Sequence, residues 1–339
     1  MPPAEPSYLS APPTRPRTND GKSTTSSPVE YRRGVRKNVL WHYTDAAASI
    51  GLLSSNTLWA TSILHLNDSS ELKFGLERAD VEIANCSAGV DPVAAGFLKA
   101  IRDELWTEQF RQRFFVACAS TEEDDLSQWR GYTGSTGYSI GLDIDTSQIW
   151  GIVVPNQSGL DPTQTPADSP RFEGLGRWAP VEYGPESQRE QFRFILNSAC
   201  GSAQEVEAPG TAPQRRRELL AIHAGYLALA ATRCKSAGFH GEHEWRLVVA
   251  DPKVDGCIQF RAGPFGITPY LAVTPPPADL DASVGQFYTG RANTLSVHDV
   301  CVGPTREPQT AKNGMDRLLA ETGRRGLVAK LSDSTYRGS

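Results

Sequence analysis

The chain has 339 residues, 39% hydrophobic and 22% charged, so it holds enough apolar material for a sizeable core and is not disordered as a whole. Its net charge of -5 argues against a general nucleic-acid coat and against a polybasic membrane binder. The six cysteines are scattered with no CxxC spacing, which argues against structural zinc and for reduced core thiols in a cytoplasmic protein. No stretch approaches the ~20 apolar residues of a membrane span, and the N-terminus has no apolar signal region.

Residues 1–36 are rich in Pro, Ser, Thr and Arg and are expected to form a disordered tail. A single domain is expected over 37–332, with 333–339 as a C-terminal tail. It opens on the strand end "LWHYT", where Thr44 is expected to cap a helix beginning at Asp45. A short helix at Ile50–Leu53 and a turn at Ser54–Asn56 lead to "LWATS". Asn67 and Asp68 followed by Glu71 read as a helix start, with Asp68 capping and Glu71 reaching back. Leu72, Leu76, Ala79 and Ile83 then recur at helical spacing. A further helix is predicted over 94–111, burying Phe97, Leu98, Ile101 and Leu105.

"RFFVACAS" reads as a short buried strand. "DDLSQWRGY" reads as a helical turn with Leu126 and Trp129 on one face. "GYSIGLDI" alternates as a strand with Tyr138, Ile140 and Leu142 to one side. Loops are expected at 155–170 and 201–213, where Pro, Ser, Asp and Gly accumulate. The longest helix is predicted over about 214–236. Strands follow at "EWRLVV", "CIQFRA" and "LSVHDVCVG", and a last helix near 308–323 precedes "GLVAKL". Irregular alternation of helices and strands favours an α+β fold over a doubly wound sheet. Neither GxGxxG nor GxxxxGK[ST] is present.

Three stretches carry candidate chemistry. In "GEHEWRLVV", strand alternation puts Glu242, Glu244 and Arg246 on one face and Trp245, Leu247 and Val249 on the other. The plain reading is a solvated face with an i, i+2 ion pair, worth little when exposed. His42 and Thr44 share a strand face just before a helix start, whose free N–H groups and field favour an anion. A simple cap and a satisfied histidine explain them equally well. Trp59, with Thr61 and Ser62, offers an aromatic beside hydroxyls that can stack on a flat heterocycle, although such a tryptophan is more often core. Tyr132 and Tyr138, near Gly131, Gly134 and Gly137, can flank a ligand or simply mark a turn. No metal-ligand set and no GxSxG stands out.

Taken in order, "LWHYT", "LWATSILHLNDSSE", "FFVACAS", "LSQWRGY", "GYSIGLDI", "EHEWRLVV" and "VCVGPT" resemble the bacterial domain of unknown function twenty-nine seventy-one family, over roughly residues 38 to 305. The layout is also similar to ADP-ribosyltransferases of the His-Tyr-Glu kind, in which a His-x-Thr strand precedes a helix, an aromatic and hydroxyl strand, and a late glutamate strand. That resemblance implies a split, mostly antiparallel sheet flanked by helices, with NAD as substrate and no metal. It implies Glu244 and Glu242 as catalytic residues, with His42 and Thr44 on the adenosine side. Tyr43, Trp59, Tyr132 and Tyr138 are its candidates for stacking on nicotinamide. Thr61, Ser62 and Arg246 complete the implied NAD site. The family layout also implies a toxin or anti-phage defence setting and a macromolecular acceptor. Two alternatives stand beside it: a noncatalytic nucleotide- or protein-binding module, and a metal-dependent nuclease or phosphoesterase using Asp68, Glu71, Glu242 and Glu244.

Overall fold

Period-two apolar runs and 3.6-period helices are interspersed irregularly along the chain. The computed structural model describes residues 37–66, 69–133, 136–154, 175–263, 266–277 and 288–334. The expected tail 1–36, the Asn67–Asp68 cap, the loop 155–170 and Gly134 lie outside the described residues. The first half contains β1 (Lys37–Asp45), α1 (Ala46–Ser55), β2 (Leu58–Ser62), α2 (Ser69–Ser87), α3 (Pro92–Leu105), α4 (Glu108–Arg111), β3 (Phe114–Ser120), α5 (Leu126–Tyr132), β4 (Gly137–Asp145) and β5 (Gly151–Val153). The second contains β6 (Trp178–Pro180), α6 (Pro185–Glu207), α7 (Pro213–Thr232), β7 (Glu244–Ala250), β8 (Ile258–Gly263), β9 (Gly266–Thr274), β10 (Tyr288–Thr289), β11 (Val297–Val302), α8 (Pro308–Glu321) and β12 (Lys330–Leu331).

The strands join one large open sheet in the order β10-β5-β9-β2-β3-β1-β4-β11-β12, with β7 also pairing β3, β6 pairing β7, and β8 pairing β9. Every pairing among the named strands is antiparallel except β10 with β5 and β11 with β12. The expected α+β class with a mostly antiparallel sheet is what the chain adopts. Its decisive feature is at β3. One edge of β3 pairs with β7 along its whole length, from Phe114↔Ala250 to Ser120↔Glu244. The other edge is shared. β2 takes its start (Ser62↔Phe115, Thr61↔Val116) and β1 takes its end (Trp41↔Ser120). Between them Ala117, Cys118 and Ala119 have no paired strand on that side, and the sheet splits there.

Two large cores pack on opposite sides of the sheet, and a small third cluster joins Trp41, Tyr43, Trp129 and Cys301. Helices α2, α3, α6 and α7 bury Leu76, Phe97, Leu98, Phe192, Leu196 and Leu227 against Phe114, Val116 and Val248. The opposite face joins Phe115, Ala117, Ile140, Leu142, Leu247 and Val249 with α1 and α8. Strand alternation therefore sets which side of β7 carries Arg246: the side of the helix bundle. Helix α2 approaches α7 at Gly75, where an added Cβ would lie 2.0 Å from the Ala231 carbonyl oxygen. Only a glycine allows that approach, and it brings the first turn of α2 down onto the end of α7. Among the described residues no helix is long and apolar enough to cross a membrane.

Several local expectations need correction. Thr44 is the penultimate residue of β1; the cap of α1 is Asp45, whose Oδ1 accepts from the Ala48 N–H at 2.8 Å. Helix α1 spans Ala46–Ser55, well beyond the expected Ile50–Leu53. The expected 94–111 helix breaks into α3 and α4, with Thr107 capping the second. The expected 201–213 loop is helical as far as Glu207, and α6, with 23 residues, is longer than α7 with 20. Its buried stripe of Gln188, Phe192, Leu196, Ala199, Ala203 and Val206 keeps helical spacing through residues too small to mark it. Leu126 is exposed while Trp129 is buried, because α5 turns Trp129, and not Leu126, onto Trp41, Tyr43 and Cys301.

Candidate functional site

The split in the sheet opens a cavity of about 470 Å³, within the size range of small-molecule sites. It is lined by β3 from Val116, the last residue paired with β2, through Ala117, Cys118 and Ala119 of the unpaired edge. His42 and Thr44 of β1 line one side and Trp59 and Thr61 of β2 the other, with Tyr132 of α5 and Glu244 of β7 also on the wall. His42 replaces the missing ladder bond: its Nδ1 lies 2.8 Å from the Cys118 carbonyl oxygen. A carbonyl only accepts, so Nδ1 carries the proton and donates, and Nε2 keeps a lone pair. Burial holds the imidazole below its ordinary pKa against the effect of that hydrogen bond, and the Arg261 charge lowers it further. The ring is a neutral acceptor at neutral pH.

The β2 wall is built around Trp59. Gly51 of α1 lies under its indole, where an added Cβ would be 2.3 Å from Cζ2. Tyr270 packs on the ring at 4.9 Å, and the Arg261 guanidinium lies 5.7 Å from its centroid. Arg261 Nη2 also donates to Thr61 Oγ1 at 3.0 Å. Arg261 Nε and His65 Nδ1 are buried without a hydrogen-bond partner among the described residues, and both residues line the cavity. The start of α1 does not offer the free anion site expected there, because the Asp45 carboxylate already occupies it.

At the Glu244 end lies a cluster of five charged side chains. Arg246 Nε donates to Glu244 Oε1 at 2.7 Å and its Nη2 to Glu244 Oε2 at 2.9 Å. The same Nη2 pairs with Glu71, and Nη1 donates to the Thr232 carbonyl oxygen at 2.6 Å. Lys235 Nζ sits among three carboxylates, 2.7 Å from Glu71, 2.5 Å from Glu242 and 3.1 Å from Glu244. Lys235 is 1% exposed, Arg246 2% and Glu244 5%. Burial alone would push the Glu244 carboxyl up, but the Arg246 charge and hydrogen bonds outweigh it, and its pKa is held down to about 2. Glu242 goes the other way, raised by burial more than Lys235 lowers it. The Cys118 thiol completes the set by hydrogen-bonding Glu244.

The cavity thus gathers His42, Tyr43, Thr44, Trp59, Thr61, Tyr132 and Glu244, and leaves four expected residues outside its lining. Tyr138 is packed in the core on the α1 side of the sheet, and Ser62 is buried at the end of β2. Arg246 is a buried counter-ion of Glu244. Glu242 is not on the strand at all: it ends the 3-10 turn Ala237–Glu242, and His243 at φ 47° breaks the alternation before Glu244. Tyr43 lines the cavity, yet its hydroxyl donates to the Glu122 carbonyl oxygen and accepts from the Asp125 N–H, and its ring sits edge-on to Trp129. That fixes the entry to α5 and makes Tyr43 a poor stacking partner. Arg261, His65 and Lys235 were not singled out by sequence reasoning. Alternation within "CIQFRA" was the available signal for Arg261, and it does not separate a cavity wall from a solvated hairpin.

Among the described residues no group of three or more His, Cys, Asp or Glu is placed to hold a metal ion. The carboxylates expected to do so are gathered around the Lys235 ammonium instead, and Asp68 lies outside the described residues.

Residues 128–247 match the family model described as "Protein of unknown function (DUF2971)", about a third of the chain, running from α5 to β7. This is the family that the ordered motifs resemble. The matched segment carries Tyr132, Lys235, Glu242, Glu244 and Arg246, while His42, Thr44, Trp59, Thr61 and Arg261 fall outside it. No curated protein and no solved structure matches the chain.

Proposed function

We propose that the split-sheet cavity binds an NAD-class dinucleotide and that the chain is an ADP-ribosyltransferase-like enzyme. The observation that carries this reading is that His42 and Glu244, 202 positions apart in sequence, line one cavity across the unpaired edge of β3. The His42 Nε2 lone pair and the Thr44 hydroxyl suit a ribose, and the half-buried Trp59 suits a flat ring. Cleavage of a nicotinamide–ribose bond passes through an oxocarbenium-like centre, which an ionised carboxylate stabilises. With its pKa held down to about 2, Glu244 is ionised throughout the physiological range.

One observation favours a second reading, a noncatalytic nucleotide-binding module. Both Glu244 oxygens are already held, by Arg246, Lys235 and Cys118, so much of the charge is answered within the protein. NAD binding and nicotinamide release, measured together on the wild type and Glu244→Gln, separate the two. The enzyme reading expects NAD binding in both and nicotinamide release reduced about 10²–10³-fold in the variant. Binding with no release by the wild type leaves the module; no binding by the wild type removes both.

A further inference from the structure

Arg261 is the cavity's unanswered charge. Its Nη2 is spent on Thr61 Oγ1 and its face on Trp59, yet Nε is buried with no acceptor among the described residues. Among the described residues no carboxylate forms an ion pair with it. Asp45 exerts a field on it from the start of α1, but the Asp45 carboxylate is engaged in capping that helix. A guanidinium withdrawn from water is stabilised when an anion completes its donor set, and its planar fork matches a phosphoryl group better than a point cation does. Beside it in the same cavity, among the described residues, stand His65, whose buried Nδ1 has no partner, and His42, with an Nε2 lone pair. Glu244 is far better supplied, with four donors from three residues. The cavity is therefore electrostatically divided: its carboxylate end is satisfied from within the protein, and its β2 end is short of an anion.

We infer that Arg261, seated on Trp59 and tied to Thr61, is the phosphate-recognising residue of this cavity, and that the ligand is a phosphorylated nucleotide whose phosphate lies at the β2 end. The inference rests on the dinucleotide reading for the nucleoside part of the ligand, but the phosphate contact stands on Arg261 alone. Thr61 holds the guanidinium in place, and Trp59 gives it a flat support that Gly51 makes room for.

The test titrates ADP-ribose, inorganic pyrophosphate and nicotinamide into the full chain, as wild type, Arg261→Gln and Arg261→Lys, with melting measured alongside. Loss of a charge-assisted contact is expected to weaken ADP-ribose and pyrophosphate binding about tenfold or more in Arg261→Gln, with Arg261→Lys recovering part of it. Nicotinamide carries no phosphate, and its binding is expected to change less than that of either phosphate probe. Thr61→Val supplies a second route if Arg261→Gln does not fold: it frees the guanidinium without removing it, and a smaller loss on the two phosphate probes is expected. ADP-ribose binding that is indifferent to both substitutions overturns the inference and leaves the dinucleotide reading standing. Pyrophosphate binding that depends on Arg261, with no NAD binding, supports the inference and removes that reading. Failure of the wild type to bind either phosphate probe overturns the inference.

Discussion

The two ends of the cavity treat charge in opposite ways. At the β7 end, Glu71, Glu242 and Glu244 face Lys235 and Arg246, and every one of the five is paired. At the β2 end, Arg261 and His65 keep buried nitrogens with no partner among the described residues. Charge buried and paired is structural in the first instance, since the protein has already compensated its desolvation. Charge buried and unpaired is a cost to the free protein that a ligand removes. The contrast assigns stability mainly to one end and recognition mainly to the other.

The sharpest way to break that contrast is to remove one cation from each end. Lys235→Met leaves three carboxylates around an apolar side chain, and loss of one partner from a buried network costs about 3–5 kcal/mol. Arg261→Met removes one hydrogen bond and a stacking contact, and is expected to cost under about 1.5 kcal/mol. Urea unfolding of both variants beside the wild type checks this. Equal losses would show that the two ends do not differ in kind.

Glu244→Gln probes the paired end by pH. The Glu244 carboxyl titrates at about 2 in the fold against an ordinary 4.5, so as pH falls the unfolded chain takes up its proton first. The stability Glu244 contributes is fully present above pH 4.5 and is lost as pH falls toward 2, a contribution on the order of 3 kcal/mol. The Gln variant should begin less stable at pH 7 and show a shallower acid limb. An unchanged acid limb, followed by circular dichroism from pH 7 to 2, would mean that Arg246 and Lys235 do not hold the carboxylate ionised.

The same contrast explains what was legible in the sequence. Strands β3, β4 and β7 were readable because their alternation is set by local burial, and Tyr138, Ile140 and Leu142 do share a core face. Helix α6 was not, because Ala199 and Ala203 fill its stripe where larger residues would have marked it. His42 and Thr44 were visible as a motif, and so was Glu244. The i, i+2 pair of Glu244 with Arg246 was visible too, but its burial and the rest of the network around it were not. Glu71 lies 173 positions upstream of Glu244 and reaches its partners Arg246 and Lys235 because Gly75 lets α2 close on α7. Lys235 looks like any lysine after a helix end. Glu242 appeared to share the strand face, and one left-handed residue, His243, took it off. Periodicity reports which way a side chain points, and the charges that answer it come from distant elements.

The smallest expected effect lies on the boundary between the two ends, at His42. Asparagine can keep the donor to the Cys118 carbonyl oxygen, because its amide nitrogen can stand near the position of Nδ1, while losing the Nε2 acceptor. His42→Asn should therefore lower stability by no more than about 1 kcal/mol at pH 7.5. Its pH dependence is the informative part. The imidazole pKa is lowered in the fold by burial from 6.5, so the unfolded chain binds the proton first and wild-type stability declines as pH falls below 6.5. The variant should lose that component of the slope between pH 7.5 and 5. Ligand affinity over the same range distinguishes what His42 faces. If Nε2 accepts from a ribose hydroxyl, protonation abolishes the acceptor and wild-type affinity for ADP-ribose falls as the solution is acidified, while the already weaker variant stays flat. If Nε2 instead faces the phosphate beside Arg261, the added proton supplies a second cationic donor and affinity rises. A rise would move the phosphate from the β2 wall toward β1, and a fall leaves the ribose where the strand pairing of His42 and Thr44 puts it.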